Sequence, residues 1–387
     1  RKSYHRSTTI IGDLMSIYEQ AKEFAKKYLE EEGKKSDKDC TFPKEAFEKM
    51  GEEGFLKLLI PEEMGGLGKG AKEHQEVTMA FAEYNPSAAL CYMMHNVGIS
   101  GVLDYGQKTL IDKIVKDVVE NNKFMALADS EFGSGTHFGN PEMTCTKNGD
   151  DYVFKGTKSM VTSATYASYY QYNSKSAEFE GKTTYWVVPL ESEGLSFNME
   201  YWDGVGMRGN VSCPMKFDNV KLTSDYRLGE EGGADEVASV VTKMFLLGLA
   251  SVYAGLNIRI SNITNKYATS RKYPNGKCLA DIEIVQMYLS KIYSMAQSAR
   301  TLSEDAAEAI VNNSEDMLKK IIAARVTSIE NSMNSATLAM RVGGGITYNK
   351  KTEIEKLMRD AYAGQIMAPS LDVLHVMLGG ILATENK

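Results

Sequence analysis

The sequence predicts a multidomain α+β protein in which an N-terminal α-helical domain precedes a central β-barrel and a C-terminal four-helix bundle. The 387 residues are too many for one ordinary domain and suffice for two or three. Helical periodicity runs through both ends of the chain, whereas the middle is rich in β-branched and aromatic residues separated by turn residues. We therefore place the domains at residues 1–121, 122–233 and 234–387.

Amphipathic runs predict the helices of the N-terminal domain. In LMSIYEQAKEFAKKYLEEEG, which starts at Leu14, apolar side chains recur at helical spacing, and Gly33 at its end is a helix-stop signal. The glycine-rich loop IPEEMGGLGKG follows the next helical run and precedes two more. We expect helices from about Ile10 to about Asn121.

Short strands are predicted between about Lys123 and Gly233. The stretches DDYVFKGTKSMVTSATYASYYQYNSK and TTYWVVPLE are rich in Tyr, Val and Thr, and PMKFDNVKLT alternates apolar with polar residues. Gly, Asn and Asp separate these runs, which is the pattern of strands joined by turns. The resulting β-domain has the size of an ordinary domain.

Long helices return from about Asp235 onward. Three runs, beginning near Ala234, Ile282 and Ser314, are strongly apolar on one side. Together with the terminal segment they predict a four-helix bundle.

Charge and cysteine content exclude several classes of function. The formal net charge of −7, with acids and bases mixed along the chain, argues against a nucleic-acid partner. The cysteines are widely spaced with no CxxC pair, so that neither a metal site nor a disulfide framework is predicted. We expect reduced thiols in a cytoplasmic protein, with no secretory signal and no apolar run long enough to span a membrane.

Six segments of the chain, in this order, resemble motifs of the acyl-CoA dehydrogenase family of flavoproteins. They are IPEEMGGLG at 60–68, ALADSEFGSGT at 126–136, YVFKGTKSMVTSA at 152–164, GMRGNVSCPMKFDNVKL at 206–222, AGLNIRISNITNKYATSRK at 254–272 and EKLMRDAYAGQI at 355–366. The resemblance covers essentially the whole chain. It implies FAD as cofactor, acyl-CoA or another acyl thioester as substrate, and an electron-transfer flavoprotein as redox partner. It also implies a homotetramer, or dimer of dimers.

The same resemblance implies which residues bind FAD. Glycines let the backbone approach a ligand closely, and small hydroxyls can bind carbonyl or phosphate oxygens, although the stretch DSEFGSGT is by itself also typical of an ordinary turn. The implied contacts within one subunit are Leu127, Ala128, Gly133, Ser134, Met160, Thr162, Ile366, Ser370 and Asp372. Those implied for the FAD of a neighbouring subunit are Arg271, Arg341, Gly344 and Gly345.

Three of these positions depart from the family pattern. Ala128 stands where the family often has threonine, so one hydrogen bond to the flavin is missing. Met160 replaces a common tryptophan, and Arg341 replaces a glutamine. Arg271 is retained, and its guanidinium suits a pyrophosphate because it can hold two oxygens at once.

The usual catalytic base is absent from the sequence. Oxidation of an acyl thioester requires a base to remove the α-proton. Most relatives place a glutamate in the loop after the RDA motif, where this chain has Ala368. Some relatives place it on the long bundle helix instead, and there we match Asn265. Neither position supplies a carboxylate.

Three explanations remain open at this point. Another group acts as the base: Asp372 or His375, which share a helical face with Ala368, or His95, on a helix that borders the acyl pocket in relatives. Alternatively, the protein is a flavin-dependent monooxygenase or oxidase of the same fold, or it binds its ligands without catalysis. We favour an FAD-dependent oxidoreductase that oxidises or reduces an acyl thioester with a relocated base.

Overall fold

The computed structural model describes residues 15–135, 137 and 139–385, and its N-terminal part is helical as expected. The described helices are α1 (Ile17–Tyr28), α2 (Glu30–Asp39), α3 (Lys44–Glu52), α4 (Ala71–Ala82), α5 (Pro86–Tyr105) and α6 (Lys108–Asn121). Helix α1 begins where Ser16 accepts a hydrogen bond from the Glu19 N–H. Helix α5 begins with Asn85 as cap and a proline in its first turn.

The helix stop expected at Gly33 is wrong. The break falls at Leu29, between α1 and α2, and Gly33 lies inside α2. A Cβ at this position would lie 3.0 Å from the Asn85 side chain, so that glycine permits close packing of α2 on the start of α5.

The middle domain consists of two four-stranded sheets. Its strands are β1 (Met125–Ala128), β2 (Thr144–Asn148), β3 (Asp151–Val161), β4 (Tyr169–Lys175), β5 (Thr183–Pro189), β6 (Leu195–Phe197), β7 (Cys213–Thr223) and β8 (Arg227–Leu228). One sheet has the order β1-β4-β5-β8 and the other β2-β3-β7-β6. Strands β1 and β4 are parallel, and the other pairs are antiparallel.

The predicted barrel does not close. Among the described strands no pairing joins the two sheets. The edge strands β6 and β8 have only three and two residues, which is too short to continue a ladder around a barrel. Aromatic rings fill the space between the sheets instead, with Trp186 of β5 packed against Tyr152 and Phe154 of β3.

The C-terminal part is the expected helical bundle. It comprises α7 (Ala234–Ser270), α8 (Glu283–Val311), α9 (Met317–Gly343), α10 (Glu353–Ile366) and α11 (Leu371–Thr384). Helices α7, α8 and α9 pack on one another, α10 packs on α7 and α9, and α11 lies against α9. Ser370 caps α11 by accepting a hydrogen bond from the Val373 N–H.

Helix α7 is the central element of the molecule. It has 37 residues and packs on α4 and α5 of the N-terminal domain as well as on α8 and α9. Its most apolar 18-residue window passes the length and hydropathy test for a membrane span, contrary to the sequence expectation, and 67% of that window is buried inside the protein. An apolar helix covered on most sides by its own chain is a core helix.

Candidate active site

A cavity of about 500 Å³ opens where the three domains meet. Its lining includes Met94 of α5, Met160 of β3, Thr162 just after β3, Phe245 of α7, Ile366 at the end of α10 and Ala368 in the loop that follows. Met160 is 46% exposed and Ile366 is 69% exposed, which is unusual for apolar side chains that face a concave site. These side chains form an apolar slot of the size of an ordinary ligand pocket.

Small hydroxyl groups supply part of the polar lining of this slot. Thr162 is buried, and its Oγ1 lies 3.3 Å from the Oγ of Ser212 just before β7. Ser130, at the end of β1, also lines the cavity. Ser130 and Ser212 could not be predicted from the sequence, because serines in loops carry no periodic signal.

The loop after β1 lies beside the cavity, but its residue Ser134 does not line it. The Ser134 hydroxyl is buried and bonds within its own turn, to the backbone of Glu131 at 3.3 Å. A Cβ at Gly133 would meet the carboxylate of the exposed Glu142 side chain, so glycine there lets that side chain fold over the turn. Leu127 and Ala128 are buried in β1 and belong to the core.

A buried ion pair holds this loop in place. The Lys158 ammonium of β3 lies 2.6 Å from Glu131 Oε1, and both side chains are almost fully buried. The Glu131 carboxylate also accepts hydrogen bonds from the N–H groups of Glu142 and Met143, and Lys158 donates to Asn173 Oδ1 at 2.8 Å. Burial lowers the pKa of Lys158 against the opposing effect of Glu131.

His95, a candidate base, is a structural residue. Its Nε2–H donates to the Leu56 carbonyl at 2.6 Å, and its Nδ1 accepts from the Met125 N–H at 3.0 Å. Burial lowers its pKa to about 4, so the ring is neutral at pH 7 with both nitrogens occupied. The adjacent Met94, not His95, lines the cavity.

The same contacts predict how acid destabilises the protein. The His95 imidazole has an ordinary pKa of 6.5 when unfolded and about 4 when folded, so the unfolded chain binds more protons between these values. The contribution of His95 to the free energy of unfolding is therefore fully present above pH 6.5. It decreases as the pH drops, by about 2 kcal/mol between pH 7 and pH 5. We expect His95→Gln to remove this part of the pH dependence of urea denaturation.

His375→Gln is the matched control for that experiment. His375 is exposed, and its Nε2 lies 3.0 Å from Glu330 Oε1. Its replacement removes one imidazole from the surface and leaves the buried contacts of His95 in place. Equal slopes for His95→Gln and the unmodified protein would show that folding does not lower the pKa of His95.

The remaining candidates for a base also lie away from the cavity. Asp372 is exposed in the first turn of α11, and His375 is on the outer face of the same helix. Asn265 is exposed on α7, where Phe245 is the residue that reaches the cavity. The two positions are twenty residues apart, which is about 30 Å along a helix. No carboxylate or histidine lines the described cavity, whose ionisable residues are Arg359 and Tyr362.

Arg359 is fully engaged in fixing α10. Its guanidinium forms two hydrogen bonds with Asp37 of α2, at 2.9 and 2.8 Å, and two with Glu355, at 2.6 and 3.1 Å. It also donates to the Val205 carbonyl at 3.0 Å. These contacts hold its pKa well above the ordinary value, so it is a permanent cation at the rim.

A basic cleft of about 1040 Å³ adjoins the cavity and shares Gly204, Val205 and Arg359 with it. Seven cationic side chains face three acidic ones there: Lys34, Lys38, Arg208, Lys350, Lys351, Lys356 and Arg359 against Asp37, Asp203 and Glu353. Within the described residues, Lys38, Lys350 and Lys351 form no ion pair. The cleft therefore favours an anionic ligand.

Comparison with known proteins identifies the family. The N-terminal, middle and C-terminal domains of acyl-CoA dehydrogenase match residues 13–122, 126–220 and 240–377. The chain belongs to the acyl-CoA dehydrogenase family. It is an FAD-dependent oxidoreductase, as the sequence motifs predicted, and its chemistry is oxidation or reduction of the acyl-CoA dehydrogenase type.

Relatives of this acyl-CoA dehydrogenase family member align over nearly its whole length. The human mitochondrial short-chain specific acyl-CoA dehydrogenase is 25% identical, over 95% of this chain and 89% of its own. A subunit of the caffeyl-CoA reductase-Etf complex of Acetobacterium woodii is 26% identical, over 95% of this chain and 97% of its own. The structure of butyryl-CoA dehydrogenase from Megasphaera elsdenii has a TM-score of 0.89 at 21% identity, covering 98% of this chain and all of that one.

The residues present fit the FAD of this family. The apolar slot exposes Met160 and Ile366 to a planar ring, and the Thr162 and Ser212 hydroxyls can bind its polar edge. Met160, Thr162 and Ile366 are the predicted FAD contacts that the structure brings to the cavity. Ser370 and Asp372 lie beyond its rim, on the cap and first turn of α11.

The four residues predicted to serve a neighbouring subunit are remote from the cavity of their own chain. The exposed Arg271 donates to the Tyr267 hydroxyl at 2.9 Å, at the end of α7. Arg341 lines a separate groove of about 530 Å³ between α8 and α9. Gly344, with φ of 61°, and Gly345 have open space where a Cβ would be. This placement leaves all four free to contact another molecule.

Proposed function

We propose that the protein reduces an α,β-unsaturated acyl thioester and does not efficiently oxidise a saturated one. The observation that carries this proposal is the lining of the cavity, which has no carboxylate or histidine among the described residues. The α-proton of a saturated thioester is weakly acidic, and its removal requires a positioned base. The ionisable side chains that line the cavity are those of Arg359 and Tyr362, and neither supplies the carboxylate that the family uses as its base.

Reduction of an enoyl thioester does not require the protein to supply a base. Hydride transfer is the chemistry that FAD supplies when bound. Addition of a hydride at Cβ of the enoyl thioester leaves an enolate, and this strongly basic carbon takes its proton from water. The two electrons come from a reduced redox partner, and the saturated thioester is the product. The chain therefore needs to orient the thioester, not to hold a base.

The residues of the cavity suit that role. Met94 and Phe245 make one end apolar, so water reaches the site from the rim rather than from the core. The Thr162 and Ser212 hydroxyls can orient polar atoms within it. The basic cleft at the mouth supports a substrate with an anionic handle, as the phosphates of coenzyme A provide.

An anaerobic experiment tests the direction of the reaction. Chemically reduced enzyme is mixed with enoyl-CoA thioesters, and oxidised enzyme with the saturated counterparts, while flavin absorbance is followed. We expect rapid reappearance of the oxidised flavin band with an enoyl thioester and slow bleaching with its saturated partner. Bleaching by saturated thioesters at a comparable rate would contradict the proposal.

A monooxygenase or oxidase of the same fold is the second candidate, because it too needs no α-proton base. Its signature would be a reduced flavin that no enoyl thioester reoxidises but that oxygen reoxidises with transfer of oxygen to an added amine or aromatic compound. That result would contradict the reductase proposal and support a monooxygenase or oxidase.

We further propose a cytoplasmic homotetramer that works with an electron-transfer flavoprotein. Exposed apolar side chains on the bundle support an oligomer, among them Ile346, Tyr348, Val376 and Leu382. The relative from Acetobacterium woodii belongs to a complex that contains Etf. All five cysteines are unpaired, which suits a reducing compartment.

Arg271 provides a test of the subunit contact. Arg271→Ala should lower FAD retention about tenfold, because a charge-assisted contact with the pyrophosphate of a neighbouring subunit is lost. The measurement is the flavin-to-protein ratio after gel filtration, with oligomeric mass from light scattering. Lys266→Ala, an exposed change one turn earlier on α7, is the control. Undiminished retention would place the Arg271 side chain in solvent.

A further inference from the structure

A buried amide lies near the cavity without a protein partner. Gln171 is in the middle of β4 and is 0% exposed. Neither its Nε2 nor its Oε1 has a hydrogen-bond partner within the described part of the chain. Buried side-chain amides are nearly always hydrogen-bonded, because leaving one unpaired is costly. We therefore expect the Gln171 amide to form hydrogen bonds with a group that the folded chain alone does not provide.

The amide lies between α5 and α7. A Cβ on Gly101 of α5 would be 2.5 Å from Gln171 Oε1 and 3.3 Å from Val241 Cγ2 of α7. Glycine at position 101 therefore leaves the space that the amide occupies, and Val241 lies on its other side. The side chain of Gln171 points from the sheet into the groove between these two helices.

The apolar end of the cavity is lined by the same two helices, α5 and α7. Met94, which lines the cavity, is seven residues before Gly101, so both are on one face of α5 about 10 Å apart. Phe245, which lines it from α7, is one turn after Val241 and about 6 Å from it. Gln171 thus lies one to two helical turns beyond the cavity wall formed by Met94 and Phe245.

That wall is built from side chains that can move. Met94 has a flexible thioether, the side chain best able to rearrange in a core. Gly98, one turn beyond Met94 on the same face, contributes no side chain of its own and contacts Met125. A substrate chain that displaces Met94 would follow the groove to the amide of Gln171.

We propose that Gln171 selects substrates whose acyl chain carries a neutral hydrogen-bonding group, a hydroxyl or an amide, at its distal end. The proposal rests on the reductase function proposed above and names its substrate class. A neutral group is favoured because an ion at this depth would need a counter-charge. A buried amide that bonds a substrate group also rejects the analogue lacking that group, since its own atoms then remain unpaired.

The test compares matched thioesters by calorimetric binding to the oxidised holoenzyme. The probes are 5-hydroxypentanoyl-CoA and pentanoyl-CoA. We expect the unmodified protein to bind the hydroxylated thioester at least tenfold more tightly, and Gln171→Leu to abolish or reverse that preference. We also expect Gln171→Leu to leave the melting temperature of the ligand-free holoenzyme unchanged or raised, because it removes an unpaired buried amide.

Gln75→Leu is the matched control. Gln75 is equally buried, but its Nε2 donates to Ser303 Oγ at 3.0 Å. Its replacement should lower the melting temperature without changing the preference between the two thioesters. The pair of variants separates a ligand-binding amide from a structural one.

Three results would overturn the proposal. They are equal binding of the two thioesters by the unmodified protein, an unchanged preference in Gln171→Leu, or a clear fall in its melting temperature. Because binding is measured without turnover, failure of the reductase function is a separate outcome, seen as an absence of flavin reoxidation in the anaerobic experiment.

Discussion

An Ala368→Glu variant is expected to oxidise a saturated acyl thioester roughly 10²–10⁴ times faster than the unmodified protein, the range that a positioned base contributes. Ala368 lines the cavity in the loop after α10, so a side chain there points at a site whose described lining otherwise has no carboxylate or histidine. Desolvation in this mostly apolar slot would raise the pKa of the new carboxyl, which makes it a stronger base. The measurement is anaerobic bleaching of the oxidised flavin by a saturated thioester in a stopped-flow instrument.

Ala368→Gln is the control for this gain of activity. Glutamine has nearly the same size as glutamate but cannot accept a proton, and we expect no acceleration from it. Equal rates for the two variants would mean that the α-carbon lies away from Ala368. Asp372→Asn, at the exposed start of α11, should leave the reaction of the unmodified protein unchanged, since Asp372 does not line the cavity.

Lys158→Met is expected to destabilise the protein by about 3–5 kcal/mol, the cost of leaving one member of a buried ion pair without its partner. The variant would leave Glu131 buried, with only the N–H groups of Glu142 and Met143 to compensate its charge. The free energy of unfolding is measured by urea denaturation. The loop after β1 depends on this contact, so flavin retention should fall as well.

Lys155→Met on the same strand supplies the comparison. Lys155 is exposed, and its replacement should change the unfolding free energy by less than about 0.5 kcal/mol. A double change, Glu131→Leu with Lys158→Met, should recover part of the loss because no charge is left buried. Similar small effects of the two single lysine changes would show that Glu131 takes up a proton or water when its partner is removed.

The order of helices and strands could be predicted because it depends on local periodicity. The helical ends and the β-rich middle were both correct, and so was the bundle. Closure of the barrel could not be predicted, since it depends on edge strands such as β6 and β8 whose length is decided by pairing rather than composition. The stop at Gly33 failed for a similar reason, because Asn85 is 52 residues away in sequence but in contact with it.

Some residues of the cavity could be predicted from the sequence, and others could not. Thr162 and Ala368 came to the cavity because each lies in a short motif whose local structure carries it there. Asn265 did not, because the resemblance to relatives identified the 37-residue helix correctly but not the position along its axis. His95 looked reactive as a residue type, and only the carbonyl of Leu56 and the amide of Met125 reveal its neutral structural role.

The position of α7 bears on how the chain is assembled during translation. Helices α4 and α5 lie against α7, and nearly every residue of α5 is buried in the finished protein. The ribosome delivers α4 and α5 well before α7, with the whole β-domain synthesised in between. Until α7 emerges, the apolar surfaces that it will cover face solvent, and a nascent chain in that state is a natural client for a chaperone.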